Sequence, residues 1–253
     1  MQSPARPNLM VLACSVFENE IQHHMAQLNL AYETQNLVYF EMGLHDHPDH
    51  LRAVLQEAIL RTDQRDDIDA VVLVYGLCGR GTAGLQAGRH RLVIPSGHDC
   101  MTVFLGCKKR YAKIMQQCPG CYFYTAGWNR DRRVPGPDRL AWLENQWSKT
   151  FDADDVAYLL DIERAQWAQP HTAISIDLGT ADADATHSYA KHCADWLGWE
   201  HEQISGDATL LRDLLLGNWD EERFLCVNPG QSIQHSTDDQ VLVSLETKAA
   251  HGP

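Results

Sequence analysis

Cys14, Cys78 and Cys100 each stand at or just past a stretch that reads as a β-strand: residues 8–13, 70–75 and 91–95. In open α/β sheets, ligands and catalysts gather outside the carboxyl ends of the strands, so three soft donors at such positions read as one site. Cys78, His98 and Cys100 together offer two thiolates and an imidazole, which suits Zn²⁺ with an open fourth position. Adding Cys14 gives either a closed zinc site or the three thiolates of an iron–sulfur cluster with one open iron. Without a metal, Cys78 or Cys100 would be a nucleophile with His98 as its base. Asp99 would orient His98 or act as a base, and Arg130 would hold an anionic substrate group. The competing reading is packing, since free cysteine is among the most buried residue types.

Around these residues lies Gly76-Leu77-Cys78-Gly79-Arg80-Gly81, a glycine-rich turn. Gly76 and Gly79 could present backbone N–H groups to an anionic cofactor, or simply supply the positive φ of a tight turn. The spacing is neither a dinucleotide fingerprint nor a P-loop with its lysine. The histidine-rich loop at His45, His47 and His50 follows another strand end, where one imidazole could face the cysteines. Cys118-Pro119-Gly120-Cys121 follows a helix instead of opening one, so it reads as a turn with incidental cysteines. Cys107 reads as core.

The elements that must position these groups alternate. Strands are predicted at 8–13, 36–40, 70–75 and 91–94, with helices over 15–30 and 50–62 and a short one after the glycine-rich turn. The apolar run Ala70–Tyr75 suits a central parallel strand covered on both faces. One helix is predicted from Gly97 to about Gln117, then a short strand at Tyr122–Thr125 and helices over 138–149 and 153–168. A second βαβαβ series follows, with strands at 172–176, 202–204 and 224–227 and helices over 183–197 and 208–216. The fold class is α/β: mostly parallel sheet or sheets with helices on both faces, as one sheet or two Rossmann-like lobes. The expected divisions are 1–135 with the Cys and His motifs, 136–240, and a tail over 241–253.

With 253 residues and 44% hydrophobic content, the chain can bury a sizeable core. A formal net charge of -13 argues against a nucleic-acid partner, because phosphate backbones are bound by clustered Lys and Arg. There is no apolar run long enough for a membrane span, and no signal-peptide pattern, so the protein is expected in the cytoplasm. Eight cysteines in a chain of this length fall below disulfide-scaffold density.

Ala13-Cys14, Tyr75-Gly76-Leu77-Cys78-Gly79, Val93-Ile94-Pro95, His98-Asp99-Cys100, Leu105-Gly106, Gly127-Trp128 and Pro229-Gly230 closely resemble the DUF1638 family. The resemblance runs from Leu9 to about Ile233. It implies motif roles for Cys14, Cys78, His98 and Cys100. It also implies a setting beside corrinoid-dependent methyl transfer, with corrinoid or methyltransferase proteins as partners. The chain departs from the family pattern at Ser15, where an acidic residue is usual, and at Cys107, where serine is usual. The expected function is a zinc- or iron–sulfur-dependent enzyme acting on a small molecule in one-carbon or methylamine metabolism. The alternatives are a non-catalytic metal or corrinoid accessory protein and a metal-free cysteine enzyme.

Overall fold

The computed structural model describes residues 6–30, 36–169, 171–237 and 241–247. Strands β1 (Leu9–Cys14) and β3 (Ala70–Val74) are buried along their whole length, which is why neither alternates apolar with polar residues. They lie side by side in a five-stranded sheet of order β2-β1-β3-β4-β8, with β2 (Leu37–Phe40) and β8 (Phe224–Val227) at its edges and β4 (Arg91–Pro95) between β3 and β8. The first four strands run parallel, whereas β8 pairs antiparallel with β4. The expectation that β8 would close a second parallel series is corrected here: an apolar run reports that a strand is buried, not which way its neighbour runs.

Helices α1 (Glu18–Gln27) and α2 (Pro48–Thr62) connect β1 to β2 and β2 to β3. The first connection moves outward from β1, and the second returns past it to the other side. Right-handed crossovers therefore place the two helices on opposite faces of the sheet. Leu51, Leu55 and Ile59 of α2 and Ile21 of α1 are fully buried. The loops after β1 and β3 thus lead away in opposite directions, the arrangement that opens a crevice at the carboxyl ends of an α/β sheet.

The single helix expected over 97–117 is two, α3 (Cys100–Leu105) and α4 (Lys108–Gln117). Gly106 separates them at φ +81°, where a Cβ would come within 2.5 Å of the Asp207 carboxyl group. No helix follows the glycine-rich turn. Residues 78–84 stay in turns because three successive residues there have positive φ, which a right-handed helix excludes. The expected tail also carries structure: β10 (Leu242–Glu246) pairs antiparallel with β9 (Gln231–His235), and its first residue Leu242 and the preceding Val241 are buried. Residues 248–253 lie outside the described residues.

The chain divides into two units, Met1–Tyr111 with Asp207–Pro253, and Ala112–Gly206. The division differs from the expected cut at 135 because the chain returns to the first sheet through α9 (Thr209–Leu216) and β8, and α9 packs on β3 and β4. The second unit has its own parallel sheet, β5 (Tyr122–Tyr124), β6 (Thr172–Asp177) and β7 (Glu200–Ser205). Its helices are α5 (Ala126–Arg130), α6 (Pro137–Trp147), α7 (Ala153–Gln166) and α8 (Ala183–Leu197). Tyr124, Leu140, Leu160, Ala173, Cys193 and Trp199 anchor its core, and Trp128 packs against it. No helix among the described residues is long and apolar enough to cross a membrane.

Candidate functional site

Cys14 is the last residue of β1, and Cys78 lies four residues past the end of β3. These are the adjacent strands from which the connections diverge, so both cysteines stand at the crevice position. The loops after β3 and β4 meet through their backbones: Leu77 N–H donates to the Gly97 carbonyl at 2.8 Å, and Cys78 N–H to the His98 carbonyl at 3.0 Å. Gly76 makes this approach possible, since a Cβ there would stand 2.8 Å from the Asp99 backbone nitrogen.

Cys78, Gly79 and Arg80 have φ of +46°, +62° and +71°. The Gly81 N–H closes the turn on the Cys78 carbonyl at 3.0 Å. Gly79 and Arg80 therefore occupy the central positions of a type I′ turn, and Cys78 enters it already left-handed. A left-handed non-glycine residue costs roughly 1–2 kcal/mol, so Cys78 and Arg80 are held there by their surroundings. Arg52 on α2 supplies part of that hold by donating to the Arg80 carbonyl at 3.2 Å and to the Ala83 carbonyl. Leu51 fills the space beside Gly81, and the His45 carbonyl lies beside Gly79, so the start of α2 and the histidine-rich loop abut the turn. The contact from that loop is by backbone, while the His45 imidazole lies 3.4 Å from Asp46.

Burial pushes the Cys78 thiol up to about 12, with Cys14 and Asp99 adding to the rise against the Gly76 N–H. Burial, then Cys14 and Cys78, also raise the Tyr75 phenol. The two thiols and Tyr75 are thus electrostatic neighbours. Tyr75 is 3% exposed, and its hydroxyl has no hydrogen-bond partner among the described residues. A buried hydroxyl left in this way costs free energy, so the neighbourhood of the thiols is short of one polar group.

The other expected site residues fall elsewhere or take other duties. His98 is exposed. The Asp99 carboxylate accepts from Met101 N–H at 3.0 Å and from the Tyr111 hydroxyl at 2.9 Å, which makes it the cap of α3. Cys100 is the first residue of α3 and is half-buried. Arg130 ends α5 in the second unit, 3.5 Å from Asp131. Gly76 and Gly79 serve close approach and positive φ. Ser15 accepts from Met42 N–H at 3.0 Å, which ties the loop after β1 to the chain beyond β2.

The donor set does not fit a preassembled zinc or iron–sulfur centre. Among the described residues, no three His, Cys, Asp or Glu side chains form a group that could hold a metal ion. Cys14, Cys78 and Cys100 therefore do not converge as one ligand set, and neither does His98 with any two of them. What Cys14 and Cys78 share is their place at the carboxyl ends of the adjacent strands β1 and β3, with Tyr75 one residue past β3. Clefts of about 400 Å³ beside Arg52, Gln56 and Gln86, and of about 530 Å³ beside Ser96, Phe224 and Val243, are lined by neither thiol.

The sequence gives no functional signal for Arg52, and it marks Tyr75 only as the start of the Tyr75–Gly79 segment. An arginine in the first turns of an amphipathic helix looks like any solvated cation, and a tyrosine ending an apolar strand looks like core.

No curated protein sequence and no solved structure matches the chain. A family model described as a protein of unknown function, DUF1638, matches residues 39–215. That span includes Tyr75, Cys78, His98, Cys100 and Arg130 but not Cys14. As the match covers more than half of the chain, the protein belongs to the DUF1638 family.

Proposed function

We propose that the chain is an enzyme that binds a small molecule at the carboxyl edge of the first sheet and works on it through the thiols of Cys14 and Cys78. The observation that carries this reading is their shared position at the point where the connections from β1 and β3 diverge, with Cys78 on a left-handed backbone. A nucleophile on a strained turn after a central strand is a recurring device for presenting a side chain at the top of an α/β sheet.

The electrostatics constrain the chemistry. Burial beside Cys14 keeps Cys78 protonated at neutral pH, so it is quiet until a substrate with a positive or electron-poor centre favours the thiolate. The Tyr75 hydroxyl would bond the same substrate. Sulfur is a good acceptor of soft electrophilic carbon, which accords with the methyl-transfer setting implied by the family resemblance. A reducing cytoplasm would keep both thiols available.

The test is consumption of a panel of methylated amines and activated methyl and acyl donors, followed by mass spectrometry alongside metal analysis. Cys78→Ala and Cys14→Ala should slow turnover at least about a hundredfold. Unchanged turnover in Cys78→Ala overturns the reading. A stoichiometric transition metal that disappears with either thiol would replace it with a metal-dependent one, and ligand binding without turnover would favour an accessory protein.

A further inference from the structure

Cys118-Pro119-Gly120-Cys121 in the second unit has no part in the function proposed above. The four residues form a type II turn. Cys121 N–H donates to the Cys118 carbonyl at 3.2 Å, proline takes the position whose φ its ring pre-sets, and Gly120 takes the next at φ +84°. A side chain at Gly120 would also stand 2.9 Å from Nδ1 of His171, so backbone and packing both require glycine there.

Such a turn brings its first and fourth Cα atoms within about 7 Å, and disulfides span Cα separations of about 4.4–6.8 Å. The Cys121 thiol donates to the Met115 sulfur at 3.9 Å and has the Cys118 thiol as an electrostatic neighbour. Their backbones are anchored on either side, because Cys118 N–H bonds to the Ile114 carbonyl of α4 at 2.8 Å and Tyr122 is paired with Ala173 in the sheet. Closing an S–S bond therefore asks for side-chain rotation within a fixed turn. Access is graded, since Cys118 is half-exposed and Cys121 is buried.

We infer that Cys118 and Cys121 form a reversible disulfide, a redox site distinct from the thiol pair of the first sheet, with a low-molecular-weight disulfide as its oxidant. The Cys118 sulfur attacks one sulfur of that disulfide and releases one small thiol. Cys121 then displaces the other, and the protein S–S bond closes. The two thiol hydrogens leave with the two small thiols, so the protein is oxidised by two electrons and the small disulfide is reduced by two. The pair follows the carboxyl end of α4, where the helix dipole opposes a thiolate, and burial with Cys118 nearby holds the Cys121 thiol at about 12.

The experiment incubates the reduced full chain with oxidised glutathione, alkylates the remaining thiols and maps tryptic peptides. The expected result is loss of two hydrogen masses in the peptide Ile114–Arg130, which carries both cysteines, with reversal by dithiothreitol. Cys121→Ser should instead accumulate a stable glutathione adduct on Cys118, because the resolving sulfur is gone. If in the wild type Cys118 keeps a glutathione adduct, or both cysteines remain open to alkylation while other thiols oxidise, the inference is overturned.

Discussion

The backbone N–H of Cys78 donates to the carbonyl oxygen of His98 at 3.0 Å. The two most recognisable segments of the chain are thereby joined through their main chains, with the His98 ring turned to solvent. The imidazole that looks like a ligand from its spacing is exposed, while its peptide unit holds the loop that carries the half-buried Cys78.

The left-handed backbone at Cys78 predicts an inverted order of stability between two truncations. Cys78→Gly should be more stable than Cys78→Ala by about 1 kcal/mol in urea unfolding, because only glycine adopts positive φ without a steric cost. Equal stability, or a more stable alanine variant, would show that the turn does not hold this conformation in solution.

Gly76→Ala should be costly for a different reason. Its Cβ would press on the Asp99 backbone, which cannot swing aside as a flexible side chain could. A loss of about 2 kcal/mol is expected from overpacking, together with faster alkylation of Cys78 as the two loops part. Denaturant midpoints and peptide-resolved alkylation rates measure both effects.

Arg52→Met keeps the apolar stem and removes the guanidinium that donates to the Arg80 and Ala83 carbonyls. A stability loss of about 1–2 kcal/mol is expected for these charge-assisted bonds at a partly exposed site. Hydrogen exchange should rise in the 78–84 turn and stay unchanged in the second unit.

Much of the first sheet was legible because uninterrupted runs such as Ala70–Val74 occur where helices cover both faces, and because post-strand cysteines fall at the carboxyl edge by construction. Ligand convergence was not legible. Cys14, Cys78 and Cys100 share a sheet edge by topology, yet whether sulfurs face a common point depends on backbone angles such as the φ of +46° at Cys78, and nothing in the residue types reports that value. The break at Gly106 was hidden for a related reason. The carboxyl group that crowds it belongs to Asp207, about a hundred residues along the chain. The reversed direction of β8 and the return of the chain's end to the first unit were hidden because periodicity carries no record of partners.

Acid should destabilise the fold before carboxylates begin to titrate. Burial holds the His24 imidazole below its usual 6.5, with the Gln27 contact opposing and His23 and Arg212 assisting. Burial, then His187 and Lys191, act in the same direction on His201. An imidazole that takes up its proton more readily when unfolded leaves stability complete above the unfolded value, and stability is lost as pH falls through that value toward the folded one. The melting temperature should therefore drop between about pH 7 and pH 5, and His24→Gln should flatten the drop. A melting temperature that rises on acidification over this interval would contradict the assignment.

The Cys14 and Cys78 pair is tested most directly with phenylarsine oxide, which joins two neighbouring thiols with loss of water whether or not they are ionised. After incubation of the reduced native chain, unfolding, alkylation and peptide mapping should show one arsenical bridging Cys14 to Cys78 and no bridge at that position in Cys78→Ser. Recovery of Cys14 and Cys78 as separately alkylated thiols in the wild type would mean that the two do not form a working pair.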